Sequence, residues 1–423
     1  MEKTVVIAGG GWGGCAAACS VRRAGARAVL LERTDMLLGT GLVGGIMQNN
    51  GRLAAALEME ALGAGELFAL TDRCARHRNV SFPGHAHATL YDVGLVPGEV
   101  LRHLRSLGVE VVFQARVSGV EREGDCLQAV LCSDGRRFPA DAFVDATGTA
   151  GPMVNCQRYG NGCAMCILRC PSFGGRVSLT GLCGVAEWVG EKAGGGPGAM
   201  SGSCKLHKGS LSRLLQEKLE RDGVAVIPLP PPLREDHLAQ KACQQYAQAS
   251  YRDNLVLLDT GHAKLMTPTF PLEKLRQVPG FENARYEDPY AGGKGNSLRF
   301  FAMAPRDDAL RVEGVENLYC AGEKAGLLVG HTEAIVTGTL AGHNAARQLT
   351  DRPPLVLPRA LAVGEAIAYV REQMATGEGR RKKYTFSGSV LWERLGQLGL
   401  GSVDGGEIAE RVARTGLTGV FAE

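Results

Sequence analysis

The run Thr4-Val5-Val6-Ile7-Ala8 has the continuous apolar character of a strand buried in a parallel sheet. It leads straight into Gly9-Gly10-Gly11-Trp12-Gly13-Gly14 and the helix-forming stretch from Cys15 to Ala24. Gly9, Gly11 and Gly14 fall at G-x-G-x-x-G spacing. The first glycine allows the tight turn, the second lets a diphosphate approach the backbone, and the third lets helix and strand lie close together. The helix start offers unpaired N–H groups and the positive end of its dipole to phosphate. A second apolar strand, Ala28 to Leu31, ends at Glu32 and Arg33, and Glu32 stands eighteen residues beyond Gly14. An acidic side chain there can accept both hydroxyls of an adenosine ribose. A glycine triplet alone would fit a turn in many α/β proteins. The order strand, turn, helix, strand, acid favours a dinucleotide site, with Gly9, Gly11, Trp12, Gly13, Gly14, Glu32 and Arg33 as its contacts. Cys15 and Cys19 lie four apart on this helix and are expected to face the sheet as small apolar residues without chemistry.

Such a site needs a domain behind it, and 423 residues with 45% apolar content can bury a substantial core. The 58 glycines cluster in short runs between apolar segments, a distribution suited to close backbone approach to a ligand. A net charge of +3, from 47 basic and 44 acidic residues, gives no general attraction to polyanions. Nucleic acid is therefore unsupported by charge, and a small-molecule substrate or redox partner is expected. No apolar run reaches the ~18 residues of a membrane span, and Met1-Glu2-Lys3-Thr4 lacks the apolar region of a signal peptide. The chain is expected to be soluble and cytoplasmic, so its 13 cysteines stay reduced and free for cofactor or redox work.

Three further segments separate FAD from NAD. Gly39-Thr40-Gly41-Leu42-Val43-Gly44-Gly45 is a second glycine-rich loop after the acidic strand. Val109 to Val117 continues through a hairpin, with a turn at Ser133-Asp134-Gly135, to Ala142-Phe143-Val144-Asp145-Ala146-Thr147-Gly148. Val315 to Glu323 is a strand ending in Gly322-Glu323, and Gly326 to Gly330 leads to a helix beginning near Thr332-Glu333-Ala334. Together these resemble the two-dinucleotide-binding FAD superfamily. The resemblance implies Gly39 and Gly44 along the ribityl chain and flavin, Val117 near the adenine, and Ala146, Thr147 and Gly148 over the pyrophosphate. It also implies that Gly322 and Glu323 bind the ribityl or pyrophosphate portion, and that the helix start at Thr332, Glu333 and Ala334 faces the reduced flavin.

The stretch Leu318 to Gly326, followed by His331 to Arg347, resembles a narrower branch: the folate- and flavin-dependent tRNA uridine methyltransferases and the glucose-inhibited division protein A family of tRNA-modifying flavoproteins. Pro279-Gly280-Phe281-Glu282-Asn283-Ala284 and Leu357 to Val370 extend the likeness. The family's Gly-Gln pair is Gly322-Glu323 here, the insertion is cysteine-rich, and the tail after Tyr369 is short for an RNA-binding domain. These departures lead to the expectation of a divergent relative with another substrate.

The insertion opens with Cys156, Cys163, Cys166, Cys170 and Pro171, a few residues past Thr147-Gly148, so chain reach places its thiols near the cofactor. Three readings compete. Cys163, Cys166 and Cys170, with Cys156 or Cys183, have spacing that could hold a [4Fe-4S] cluster feeding the flavin. Cys163 and Cys166 could instead be a dithiol exchanging electrons with the flavin, with Arg169 lowering a thiolate pKa. Arg169-Cys170-Pro171-Ser172 also resembles the Arg-Tyr-Cys-Pro-Ser segment of the tRNA-modifying relatives, which would make Cys170 a nucleophile toward a pyrimidine ring. A structural zinc site or simply buried thiols is the plainer alternative. Asn155, Tyr159 and Asn161 read as ordinary loop polar residues. His331 could relay a proton or assist the helix cap, and Glu333 shares that ambiguity. Arg380-Arg381-Lys382-Lys383-Tyr384 reads as a solvated connector, and Trp392, Leu395, Leu398 and Leu400 as an amphipathic element.

The expectation is an α/β protein: a Rossmann-type FAD-binding domain with an inserted α+β substrate lobe and a small helical C-terminal cap. Residues 1–151 and 306–350 form the two parts of the FAD domain, 152–305 the cysteine-rich lobe with Ile227 to Leu233 as a rigid connector, and 351–423 the cap. The expected function is an FAD-dependent oxidoreductase passing a hydride or electrons, with catalytic Cys163, Cys166, Cys170 and His331. The alternatives are a folate/FAD-dependent tRNA uridine methyltransferase-like enzyme and a non-catalytic flavin-bearing interaction protein.

Overall fold

The structure, a computed structural model, describes residues 2–148, 170–192, 195–196, 199–200, 203–236, 238, 246–287, 298–299 and 301–422. The first apolar run forms β1 (Thr4–Ala8), every residue of which is buried at the centre of a five-stranded parallel sheet. β2 (Arg27–Leu31) and β3 (Glu110–Val112) lie on one side of it. β4 (Ala142–Asp145) and β5 (Leu318–Cys320) lie on the other, giving the order β5-β4-β1-β2-β3. Strands buried on both faces need apolar residues at successive positions, which these sequences supply. α1 (Trp12–Arg23) carries the chain from β1 to β2. The hairpin lies between β3 and β4 as Val117–Glu123, Cys126–Cys132 and Arg137–Pro139. Its expected turn is present, with Gly135 at φ +88° donating from N to the Cys132 carbonyl at 3.0 Å.

Two glycines let the long helix α3 (His331–Gln348) press against α1, while α2 (Gly51–Ala61) packs beside it. A Cβ on Gly338 would stand 2.1 Å from the Gly13 carbonyl oxygen, and one on Gly342 would stand 2.3 Å from that of Ala17. Backbone at that separation admits hydrogen alone.

The inserted residues build a four-stranded antiparallel sheet in the order Cys204–Leu206, Ala263–Leu265, Asn254–Asp259, Val224–Pro228. It has its own core around Leu206, Leu257, Leu265, Phe270 and Phe281. Ile227 to Leu233 is thus not a simple connector: Ile227 and Pro228 end an edge strand, where a missing N–H costs nothing, and Pro231–Leu233 forms a 3-10 turn. Sequence reading assigned nothing to a small antiparallel sheet of Ile46–Met47, His85–Tyr91 and Ala75–Phe82. Its Ile46 and Leu90 share a core with Tyr251, Val256, Leu258 and Met266 of the insertion.

The C-terminal helices α4 (Ala362–Met374), Ser389–Gln397 and Gly405–Arg414 pack on the body. Buried Glu58 of α2 accepts the backbone N–H groups of Ala362 and Val363, each at 3.0 Å, and Arg411 Nη2 at 2.8 Å. The basic run departs from expectation. Lys383 is buried with Nζ 4.6 Å from the centre of the Phe301 ring, and buried Tyr384 exchanges backbone hydrogen bonds with Leu327 and Val329. Trp392 packs on Gly51, while Leu398 is 49% exposed and Leu391 takes the buried place. Among the described residues no helix is long and apolar enough to cross a membrane.

Candidate dinucleotide and active site

One long cleft runs along the C-terminal ends of the parallel strands. It is lined by Gly9 to Gly13 and Glu32, by the Gly39–Gly44 loop, by Ala146 to Gly148 and by Gly322, Glu323, Gly330, His331 and Ala334. The three fingerprint glycines do different work. Gly9, at φ +106°, would place a Cβ 2.3 Å from the Ala146 carbonyl oxygen, and Gly14 would place one 1.8 Å from that of Gly9. Among the described residues, a Cβ on Gly11 would meet no atom within 4 Å. The gap beside Gly11, at the uncapped start of α1, is the cradle a diphosphate needs.

Glu32 is held rigidly at the end of β2. Its Oε2 accepts from the Gly10 N–H at 2.9 Å, and its Oε1 accepts from the Thr34 N–H at 2.8 Å and hydroxyl at 2.9 Å. On the other wall, buried Asp145 at the end of β4 takes the Thr147 hydroxyl at 2.6 Å and the Thr180 N–H and hydroxyl at 2.8 and 2.7 Å. Asp145 therefore fixes the Ala146-Thr147-Gly148 loop, a role sequence reading did not assign. Val117 lines the cleft near Arg33 and Arg116, where Arg33 Nη1 donates to the Gly174 carbonyl at 2.6 Å and Arg116 Nε to that of Gly175 at 2.9 Å. Trp12 forms part of the same wall, its ring 6.0 Å from that of Tyr91 and edge-on to it.

At the far end, His331 is the first residue of α3, and the helix receives no side-chain cap. Its Nδ1 lies 3.1 Å from the Tyr91 hydroxyl, and its ring occupies the space that a Cβ on Gly44 would need. Thr332 and Glu333 turn away from the cleft. The Thr332 hydroxyl meets Met47 Sδ at 3.4 Å, and Glu333 is fully buried against Arg52, whose Nε lies 3.1 Å from both its oxygens. Glu333 also takes the Thr385 hydroxyl at 2.7 Å and the Phe386 N–H at 2.9 Å, so it ties α3 to α2 and the cap.

Sequence reading also missed the two lysines of the inserted sheet. Lys205 Nζ donates to the Leu42 carbonyl at 2.8 Å, and Lys264 Nζ donates to that of Val43 at 2.7 Å and to Ser203 Oγ at 2.8 Å. They clamp the second glycine-rich loop, and Lys264 and Ser203 line the cleft. Burial first, and then the neighbouring Lys205 charge, lowers the Lys264 amine to about 7. No short motif announces these residues, because their partners lie 163 and 221 positions away. Cys156, Cys163 and Cys166 lie outside the described residues, as do Asn155, Tyr159, Asn161 and Arg169. Cys170 opens the short helix Cys170–Phe173. Cys183 is buried, which raises its thiol to about 11, as for a packing residue.

The parallel sheet, the two helix starts and the acid at the end of β2 define a dinucleotide-binding α/β protein. The chain belongs to the glucose inhibited division protein A family, whose model matches residues 4–210 and 244–353. That membership supports FAD as the cofactor and an FAD-dependent enzyme. It is similar to the tRNA uridine 5-carboxymethylaminomethyl modification enzyme MnmG of Mycoplasma genitalium, with 29% identity over 37% of this chain and 26% of that protein. It is likewise similar to the MnmG of Desulfotalea psychrophila, 36% identical over 22% of this chain and 13% of that protein. The methylenetetrahydrofolate–tRNA-(uracil-5-)-methyltransferase TrmFO of Thermus thermophilus is 33% identical over 27% of this chain and 25% of that protein. The matches span about a quarter or less of these curated relatives' length. In fold the chain is similar to Aquifex aeolicus GidA, with a TM-score of 0.64 at 14% identity, covering 98% of this chain and 73% of that one.

Proposed function

We propose that this protein is an FAD-dependent enzyme that modifies a uridine of tRNA, the alternative of the sequence reading rather than its leading choice. The observation that carries this is the family match across both cleft-forming parts of the chain, residues 4–210 and 244–353. The activities for which the MnmG and TrmFO relatives are named point the same way. The net charge of +3 is a sum over the whole chain. Locally, Arg33, Arg116 and Arg176 line the cleft opposite the acids Glu32 and Glu323, and three guanidinium groups on one wall suit phosphate better than a total of +3 suggests.

Glu32 would hold the adenosine ribose, the N–H groups at the start of α1 the diphosphate, and the Gly39–Gly44 loop with Gly322 the remainder. Bound FAD supplies two-electron redox chemistry. Lys264, with an amine lowered to about 7, can give or take a proton at Nζ near neutrality. His331 Nδ1 and the Tyr91 hydroxyl form a second pair able to orient or relay a proton. Cys170 is our candidate nucleophile, its sulfur adding to the pyrimidine ring and leaving again once the base is modified. An iron–sulfur cluster on Cys156, Cys163, Cys166 and Cys170, and electron transfer through Cys163 and Cys166, draw no support from the family or these relatives.

The test is nucleoside mass spectrometry of total tRNA from cells with and without the gene. One modified uridine should vanish on deletion and return with the wild-type gene, but not with Cys170→Ser. Identical nucleoside profiles in all strains would refute the tRNA reading while leaving FAD binding intact.

A further inference from the structure

Away from the cleft, α1 meets the helices Glu66–Arg73 and Val96–Ser106. There a Cys19 sulfur, a Glu66 carboxylate oxygen and a His103 ring nitrogen lie within 4.8 Å of one another. Cys19 is 2% exposed, so the meeting point is closed on the α1 side. Among the described residues, Glu66 Oε2 and His103 Nε2 are buried atoms with no hydrogen-bond partner, though the Cys19 thiol interacts with the Glu66 carboxylate. Buried polar atoms without partners are rare, and two of them on residues that meet beside a thiol call for an ion or water. The other Glu66 oxygen, Oε1, stands 3.2 Å from Arg23 Nε, which leaves one oxygen ion-paired and one open.

We propose that Cys19, Glu66 and His103 form a binding site for a divalent transition-metal ion of the zinc class, with water as a fourth ligand. Sulfur, nitrogen and carboxylate oxygen together suit such an ion, whereas calcium and magnesium favour oxygen alone. Tetrahedral bond lengths of about 2.0–2.3 Å put ligand atoms roughly 3.5 Å apart, so the three groups need draw in by no more than about 1 Å. On binding, the Cys19 thiol loses its proton to solvent, and thiolate plus carboxylate balance the ion's two charges. Because binding releases that proton, affinity should grow with pH. The site would pin the C-terminal half of the phosphate-binding helix to its two neighbours. Cys19 thereby gains a role that sequence reading denied it.

The test uses the full chain, purified, stripped with a chelator and titrated with cobalt(II). The wild type should develop a near-ultraviolet thiolate-to-cobalt charge-transfer band at about one equivalent, and zinc should raise its melting temperature. Cys19→Ser should lose the band. His103→Gln, which spares the tightly packed cysteine, should weaken cobalt binding by more than the ~10-fold that loss of an outer partner costs. A Cys163→Ser, Cys166→Ser double variant should keep the band, which separates this site from the cysteine segment. Retained FAD binding shows that each variant has folded. A silent wild type, a band unchanged in Cys19→Ser and His103→Gln, or a band lost only in the double variant would each overturn the proposal.

Discussion

Lys264 sits where a lysine is least at ease: 5% exposed, its amine facing a carbonyl and a hydroxyl, with the second amine of Lys205 nearby. An ordinary lysine titrates at 10.5 and this one at about 7. Between those values the unfolded chain binds the proton and the folded protein does not, so stability from this group rises with pH across that window. Below about 7 both states are charged, and the full cost of burying the ammonium remains. Lys264→Met should flatten that rise when urea midpoints are measured from neutral to alkaline pH. An unchanged slope would show that Lys264 does not titrate in this range. Sequence reading could find Glu32, because an acid at a fixed distance from a glycine fingerprint is a local signal. It could not find Lys264, whose environment exists only once the inserted sheet meets the Gly39–Gly44 loop.

The two glycine contacts between α1 and α3 set the separation of the helix starts that face the cleft. Gly338→Ala would drive a methyl group into the Gly13 carbonyl, and overpacking of this kind costs about 1–3 kcal/mol. We expect a lower melting temperature together with weaker FAD binding; loss of stability with unchanged FAD affinity would show that the helix separation does not shape the cleft. β1, α1, β2 and α3 were legible because period and punctuation coincide within each. The strand at Val224–Pro228 was hidden by its terminal proline, which an edge position tolerates, and by the proline run that follows. The burial of Lys383 and Tyr384 was hidden because it depends on Phe301 and the Leu327–Val329 segment, far off in sequence. The small sheet between Ile46 and Tyr91 escaped notice because its strands are short and partly polar.

At the scale of the whole molecule, the insertion is fastened to the first half of the chain by lysine-to-carbonyl clamps and by two buried carboxylates, Asp145, which holds Thr180, and Asp259. Asp259 meets Arg76 Nε at 3.0 Å and His77 Nε2 at 3.1 Å from the small sheet, and Lys208 Nζ at 3.0 Å from its own lobe. Burial pushes its pKa up, but hydrogen bonds from His77, Lys208 and Arg76 outweigh that and hold it below the usual carboxylate value. Its contribution is therefore present above the ordinary value of about 3.9 and fades as pH falls through the lower native one. Asp259→Ala should cost about 3 kcal/mol at neutral pH in chemical denaturation, by stranding cations that had shared one carboxylate; a loss near zero would mean that this carboxylate does not help hold the lobes. The account as a whole stands on the gap beside Gly11, whose backbone is extended at φ −71° and accepts any side chain without strain. The direct measurement is FAD titration, by quenching of flavin fluorescence, of the wild-type protein and of Gly11→Val at matched melting temperature. Tight binding by the wild type and a loss of about 100-fold or more in the variant, roughly 3 kcal/mol, is the expected result. A wild type that takes up no flavin, or a variant that binds it equally well, would contradict the central claim.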